Sequence, residues 1–304
     1  MTAYLARRAL QAIVVVVLVT LIVFLLVRLA PGGARAAVLG SGQSGSPFLL
    51  QYLSWLGRVA HGDLGFSVIR NQSVGSLLAA SLPRTLALTV TSTVIALAVA
   101  IPAGILQAAR RGSAADHVLR GLTLVFYGLP SFVLGSVLIL FFAVDRHYFG
   151  AEGPQAAGFT GVIADWHDLT LPVLTLSLMT IAIFARYMRS AAVDSLAQDY
   201  VEAARARGAG DRRVLIRHVL RNSLVPVVTL VGLSVPQIVG GALIVESLFN
   251  IQGVGWEIWQ AALGHDVAVT LGFSLVIGVG AVVGSLMADI GYALLDPRVR
   301  HSLT

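Results

Sequence analysis

The residues best placed to do chemistry form one run, Asp199-Tyr200-Val201-Glu202-Ala203-Ala204-Arg205-Ala206-Arg207-Gly208, set between two strongly apolar stretches. A segment this charged cannot sit in lipid, so it must project from whatever the apolar stretches build. Helix-forming residues run from Ala192 to Arg207, and Gly208 supplies a C-terminal stop. Asp211 is an N-cap candidate for a second polar helix that reaches Arg221. A helix–glycine–helix elbow of this kind is a handle by which another protein could move a bundle. No covalent chemistry accompanies it: the sequence has no His-Glu-x-x-His pair, no nucleophile elbow and no carboxylate pair, so no hydrolytic site is expected. His147, His167 and His265 neighbour Asp145, Asp168 and Asp266, and read as surface polar residues rather than metal ligands. Cysteine is absent, and so is lysine; all 21 basic residues are arginine. A Walker A loop needs its lysine to reach the nucleotide phosphates. If ATP drives this chain, a separate subunit must bind it.

The elements that must position this run are membrane spans. With 57% hydrophobic and 12% charged residues, the chain is far from a globular average of about 25% charged. Apolar blocks near the roughly 20 residues a crossing needs fall at 9–27, 85–109, 122–144, 169–187, 224–245 and 267–286. The expected fold is therefore all-α, a single polytopic membrane domain over 1–304 with six transmembrane helices, an outer loop at 31–83 and an inner loop at 189–222. The first block exceeds the roughly 7–15 residues of a signal h-region and reads as an uncleaved anchor. The net charge of +6 does not call for nucleic acid once its placement is considered. With the N-terminus in the cytoplasm, fifteen arginines fall inside and six outside. That bias puts both termini and the Glu202 run in the cytoplasm.

Within the outer loop, Phe48–Leu56 is apolar at helical spacing and too short to span, so it should lie on the membrane face or against the bundle. Trp55, Trp166, Trp256 and Trp259 all fall in expected outer segments, where indoles anchor in the headgroup zone. Trp256 and Trp259 are also candidates for contact with a docking protein. Pro102, Pro130, Pro172, Pro226 and Pro236 lie in the spans, and each should kink its helix. Gly128-Leu129-Pro130-Ser131 is the best candidate for a break facing a polar path, so Pro130, Ser131 and, on the fifth span, Gln237 are the translocation candidates. Gly280 and Gly284 form a small-xxx-small pair on the sixth span. Ionisable residues deep in the spans are scarce, which argues against an ion-coupled carrier; an ion-coupled carrier or channel is the alternative from a different class.

Glu202, Ala203, Ala204 and Gly208 meet the EAA-loop pattern of ABC importer permeases, Glu-Ala-Ala, three residues, then Gly. Around it, Tyr4-Leu5-Ala6-Arg7-Arg8, Arg28-Leu29-Ala30-Pro31-Gly32, Gly62-Asp63-Leu64-Gly65, Leu82-Pro83, Pro130-Ser131-Phe132, Gln198-Asp199-Tyr200, Arg217–Asn222, Gly240-Gly241 and Leu294–Arg298 follow in order. The chain thereby resembles the B-type permease subunits of dipeptide and oligopeptide ABC importers, nearly end to end. The resemblance implies a type I importer permease fold in the cytoplasmic (inner) membrane of a bacterium. It also implies a homologous second permease, two ATPase subunits that hold the ATP and magnesium, and an extracytoplasmic substrate-binding protein. No cofactor and no catalysis are implied for this chain. Contact with an ATPase is implied for Tyr200, Glu202, Ala203, Ala204, Arg207 and Gly208: Glu202 as hydrogen-bond acceptor, the alanines for close approach, Gly208 for the turn. The implied solute is a di- or oligopeptide; branches that carry nickel, glutathione or other small solutes share the motifs. The sequence departs from the general EAA continuation at His218-Val219-Leu220-Arg221, which is similar to the peptide branch, and lacks the usual proline after Asp266.

Overall fold

The computed structural model describes residues 2–29, 47–240 and 242–295. The Gly/Ser-rich start of the expected outer loop through 46, Gly241, and the Asp296-Pro297-Arg298 end of the tail motif lie outside them. Among the described residues five helices are long and apolar enough to cross a membrane, or six if one bent pair counts as a single crossing. In order the elements are α1 (Thr2–Leu29), α2 (Phe48–Ala60), a hairpin of β1 (Phe66–Ser67) and β2 (Gln72–Ser73), α3 (Val74–Ala109), α4 (Ala114–Gly128) and α5 (Ser131–Leu138). There follow α6 (Gly158–Ala164), α7 (Trp166–Leu196), α8 (Asp199–Ala206), α9 (Asp211–Arg213), α10 (Leu220–Leu233), α11 (Val235–Gly240), α12 (Leu243–Leu248), α13 (Val254–Leu263) and α14 (Val267–Leu295). The antiparallel hairpin pairs Phe66 with Ser73 and Ser67 with Gln72 and is the one departure from an all-α chain among the described residues.

The part of the expected 31–83 loop among the described residues is largely regular structure. Residues 74–83 are the first turns of α3, whose Ser73 side chain accepts the Ser76 N–H as an N-cap. Amphipathic α2 lies against the bundle: Phe24 of α1 meets Tyr52 edge-on at 5.4 Å and Trp55 at 5.5 Å. Trp55 is 3% exposed, so it is a core residue and not the headgroup anchor its position suggested. Arg28 sits 5.2 Å over the Phe48 ring, an arrangement that suits a cation at the end of a span.

The prolines behave unequally. Pro102, Pro172 and Pro226 lie inside continuous helices. Pro236 occupies the first turn of α11, where little hydrogen bonding is lost. Pro130 alone marks a sharp break: the helix pair on either side of it bends by 106°. The third expected span, 122–144, is thus two helices, with the second continuing as π-helical turns over Ile139–Asp145. The inner loop expected at 189–222 is likewise mostly helix. α7 continues through Leu196, and α9 runs through π-helical turns at Val214–Val219 straight into α10. The N-cap there is Gly210, with Asp211 in the first turn rather than at the cap.

α3 and α7 form the most extensive helix pair. On the other flank α14 packs against α11, and Gly284 is where they meet. A Cβ built on Gly284 would stand 2.2 Å from Val235 Cβ, so the small-xxx-small pair is a close helix contact. Gly284→Val is expected to lower the stability of the detergent-solubilised chain by about 1–3 kcal/mol through overpacking. Thermal unfolding reads this, and an unshifted midpoint would mean the contact is loose.

Candidate functional site

The charged run builds a short helix on an apolar base. Val201 and Ala204 on α8 are 0% and 3% exposed. They pack with Ala108 of α3, Ala192 of α7 and Val214 and Val219 of the π-helical turns. Tyr200 is half-buried, and its hydroxyl bonds the Ser195 hydroxyl, which fastens the start of α8 to the end of α7. Glu202, Ala203, Arg205 and Arg207 are exposed. Asp199 and Glu202 fall in the first turn, where acidic side chains suit the helix dipole. The candidates therefore divide. Glu202, Ala203 and Arg207 face outward, whereas Tyr200 and Ala204 face the chain's own interior. Close approach of a partner through Ala204 does not fit this placement; of the two candidate alanines, Ala203 offers the outward side chain.

Gly208 ends α8 with φ +85°. Its N–H donates to the Arg205 carbonyl at 2.8 Å, and the Ala209 N–H donates to the Ala204 carbonyl at 3.1 Å. These are the paired bonds of a Schellman ending, which needs a left-handed residue where glycine stands. Arg207 Nε donates to the Ala203 carbonyl at 3.1 Å, satisfying another terminal acceptor. The elbow is thus a stiff turn that fixes the direction of α8 against the helix leading to α10.

In the bundle, Ser131 and Gln237 share one cavity of about 340 Å³ with Thr89, Thr93, Thr180 and Ser234. The break at Pro130 frees Ser131 to begin α5 there, although exposed Pro130 is not itself in the lining. Thr89 donates to the Ile238 carbonyl at 2.9 Å, tying α3 to α11 beside Gln237. Hydroxyls and one amide, with no charged side chain, make this a neutral hydrogen-bonding space.

α13 carries the two candidate docking tryptophans. Trp259 is 44% exposed, while Trp256 is half-buried under Arg70, 5.5 Å away. Arg70 also donates to Glu257 at 3.1 Å. Burial pushes the Glu257 carboxyl above the usual range, and Arg70 opposes that shift. Glu246 was not among the residues the sequence singled out. It is fully buried: Thr85 donates to its carboxylate at 2.7 Å and the Trp256 N–H at 2.9 Å. The signal was Gly253-Val254-Gly255, since Cβ atoms at those glycines would fall 2.6 Å and 3.1 Å from Glu246 Oε2.

A bundle of membrane-crossing helices, a broken span at a polar cavity and a charged helical elbow standing on a buried base fit the class of transport permeases. The chain belongs to the family of binding-protein-dependent transport system inner membrane components, whose model matches residues 100–301. It is 35% identical to the oligopeptide transport system permease protein AppB of Bacillus subtilis, over 99% of this chain and 100% of that one. It is 32% identical to a probable peptide ABC transporter permease of Sinorhizobium fredii, over 99% and 100%. Its fold is like that of a chain in the inward-facing MetNI methionine ABC transporter, with a TM-score of 0.58 at 20% identity, covering 73% of this chain and 97% of that one. The fold is thus that of an ABC importer permease, a multi-pass membrane protein.

Proposed function

We propose that this chain is the permease subunit of an ATP-driven importer of di- or oligopeptides, coupled to separate ATPase subunits through residues 199–221. One observation carries the reading: α8 offers Glu202 and Ala203 outward while its buried face is packed onto α3, α7 and the turns leading to α10. The same chain of helices continues through α11 and α12, which line the polar cavity with Ser131 and Gln237. A pull on α8 therefore reaches the cavity through packed, rigid elements. The names of relatives at 32–35% identity support a peptide as the solute. Two ATPase subunits hold the ATP and magnesium, a homologous permease completes the path, and an extracytoplasmic binding protein docks near Trp256 and Trp259. The membrane is the bacterial cytoplasmic one, with both termini inside.

Reconstitution tests this. ATP-driven uptake of labelled trialanine is expected only when this chain, the second permease, the ATPases and the binding protein are all present. The isolated chain should neither bind nor hydrolyse ATP. Reporter tags at both termini should report the cytoplasm and a tag at Gly42 the outer side, because fifteen of the 21 arginines then lie inside. Robust ATP turnover by the chain alone, or an outer C-terminus, would overturn this reading.

A further inference from the structure

A second, larger cavity of about 890 Å³ opens toward the inner end of the bundle, lined by His117 and Arg120 of α4, Gln107 of α3, and Arg186 and Arg189 of α7. It lies on the same face as the neutral one. Along α7, Leu176, Thr180 and Ile183 line the upper cavity and Tyr187 and Ser190 the lower. Their spacing, alternating four and three residues, is a single helical stripe. Exposure grows inward along it: Leu176 and Thr180 are half-buried, while Ile183, Tyr187 and Ser190 are exposed. On α4 the stripe His117, Gly121 and Leu124 climbs toward the break from which Ser131 enters the upper cavity.

The two spaces differ in charge. The upper has none; the lower brings three guanidinium groups together against one nearby carboxylate. That carboxylate, Asp116, is 1% exposed and holds Arg189 by two bonds of 3.0 Å, to Nε and Nη2. The Gly112 N–H donates to it as well. Arg186 stacks 4.5 Å over the Tyr127 ring. Among the described residues neither Arg120 nor Arg186 is in an ion pair. Gln107, 2% exposed, lines the same space, and its amide nitrogen has no hydrogen-bond partner. Planar guanidinium groups beside an unsatisfied amide donor are the donor set a carboxylate takes.

We propose that this inner cavity is an anion site that takes the carboxylate of the transported solute as it leaves the neutral cavity for the cytoplasm. The proposal rests on the permease reading above and adds to it that the solute carries a carboxylate, which a peptide supplies at its C-terminus. Asp116 is a positioning residue: it fixes Arg189 and leaves Arg120 and Arg186 to meet the ligand.

The test uses the full chain in nanodiscs of phosphatidylcholine, with trifluoroacetate as the probe and its fluorine line width as the readout. The wild type should broaden the line. The Arg120→Gln/Arg186→Gln variant should do so several-fold less; both side chains are exposed, so folding is preserved, and the thermal midpoint checks this. Trialanine should compete the broadening away, whereas its C-terminal amide should not. No broadening, or equal broadening by both proteins, overturns the site. Displacement of the probe by phosphatidylglycerol in the disc but not by trialanine also overturns it, and assigns the cavity to a lipid phosphate. Failure of the wild-type transporter to import trialanine is a separate readout and strikes the permease reading first.

Discussion

Gly208→Val is expected to cut ATP-driven uptake by about 5–30-fold while the chain still inserts and the ATPases still turn over. The magnitude follows from one residue's conformation. Gly208 sits at φ +85° with open space around its Cα, so a Cβ there meets no neighbour. The effect is therefore purely a backbone one. A β-branched residue in the left-handed region costs about 1–2 kcal/mol, and that shifts a two-state population by about 5–30-fold. The bonds from Gly208 to Arg205 and from Ala209 to Ala204 would be lost in the shifted state. α8 would then leave its fixed angle, and Glu202 and Ala203 would no longer face a docked partner. Gly208→Asn should retain most of the uptake, since asparagine tolerates this region best among the other residues. Uptake and ATP turnover measured together on reconstituted transporter decide it. Valine at the wild-type rate with intact coupling would mean the elbow is only a solvated turn.

What the sequence made legible was what periodicity and composition encode. The six apolar blocks were evident because lipid demands long unbroken apolarity. The elbow was evident because Gly208 and the arginines interrupt it. Ser131 and Gln237, which line one cavity, stood out because a proline and lone polar residues are conspicuous in apolar helices. Three features were not legible. The last part of the expected loop is helical because Ser73 caps it and α3 runs on through Pro83, an interior proline that reading the sequence treats as a boundary. The inward turn of Ala204 and Tyr200 depends on the phase of an eight-residue helix, set by tertiary contacts with α3 and α7. The lower basic cavity joins residues 107, 120 and 186 from three helices, and only packing brings those together.

Glu246→Ala is expected to lower stability by about 2–5 kcal/mol and to loosen α13. The carboxylate accepts the Thr85 hydroxyl and the Trp256 N–H, and Thr85 Oγ1 in turn accepts the Val254 N–H at 2.7 Å. Between them the two side chains satisfy N–H groups in the first turn of α13, which has no cap of its own from Gly253. Removing the acceptor leaves buried donors unpaired, at about 1–3 kcal/mol each, together with a cavity that Gly253 and Gly255 are too small to fill. Glu246→Gln keeps one oxygen but turns the other into a donor, so the amide cannot accept from both Thr85 and Trp256 with its former geometry. It should fall between alanine and wild type. Thr85→Val preserves shape and breaks the same hub from the other side. Because both residues serve one helix end, the double variant should be less destabilised than the sum of the singles. Thermal midpoints supply the cycle, and hydrogen exchange at Val254 and Trp256 should accelerate in every variant. Additive losses with exchange unchanged at those two amides would show that Glu246 is merely buried and does not hold α13 to α3.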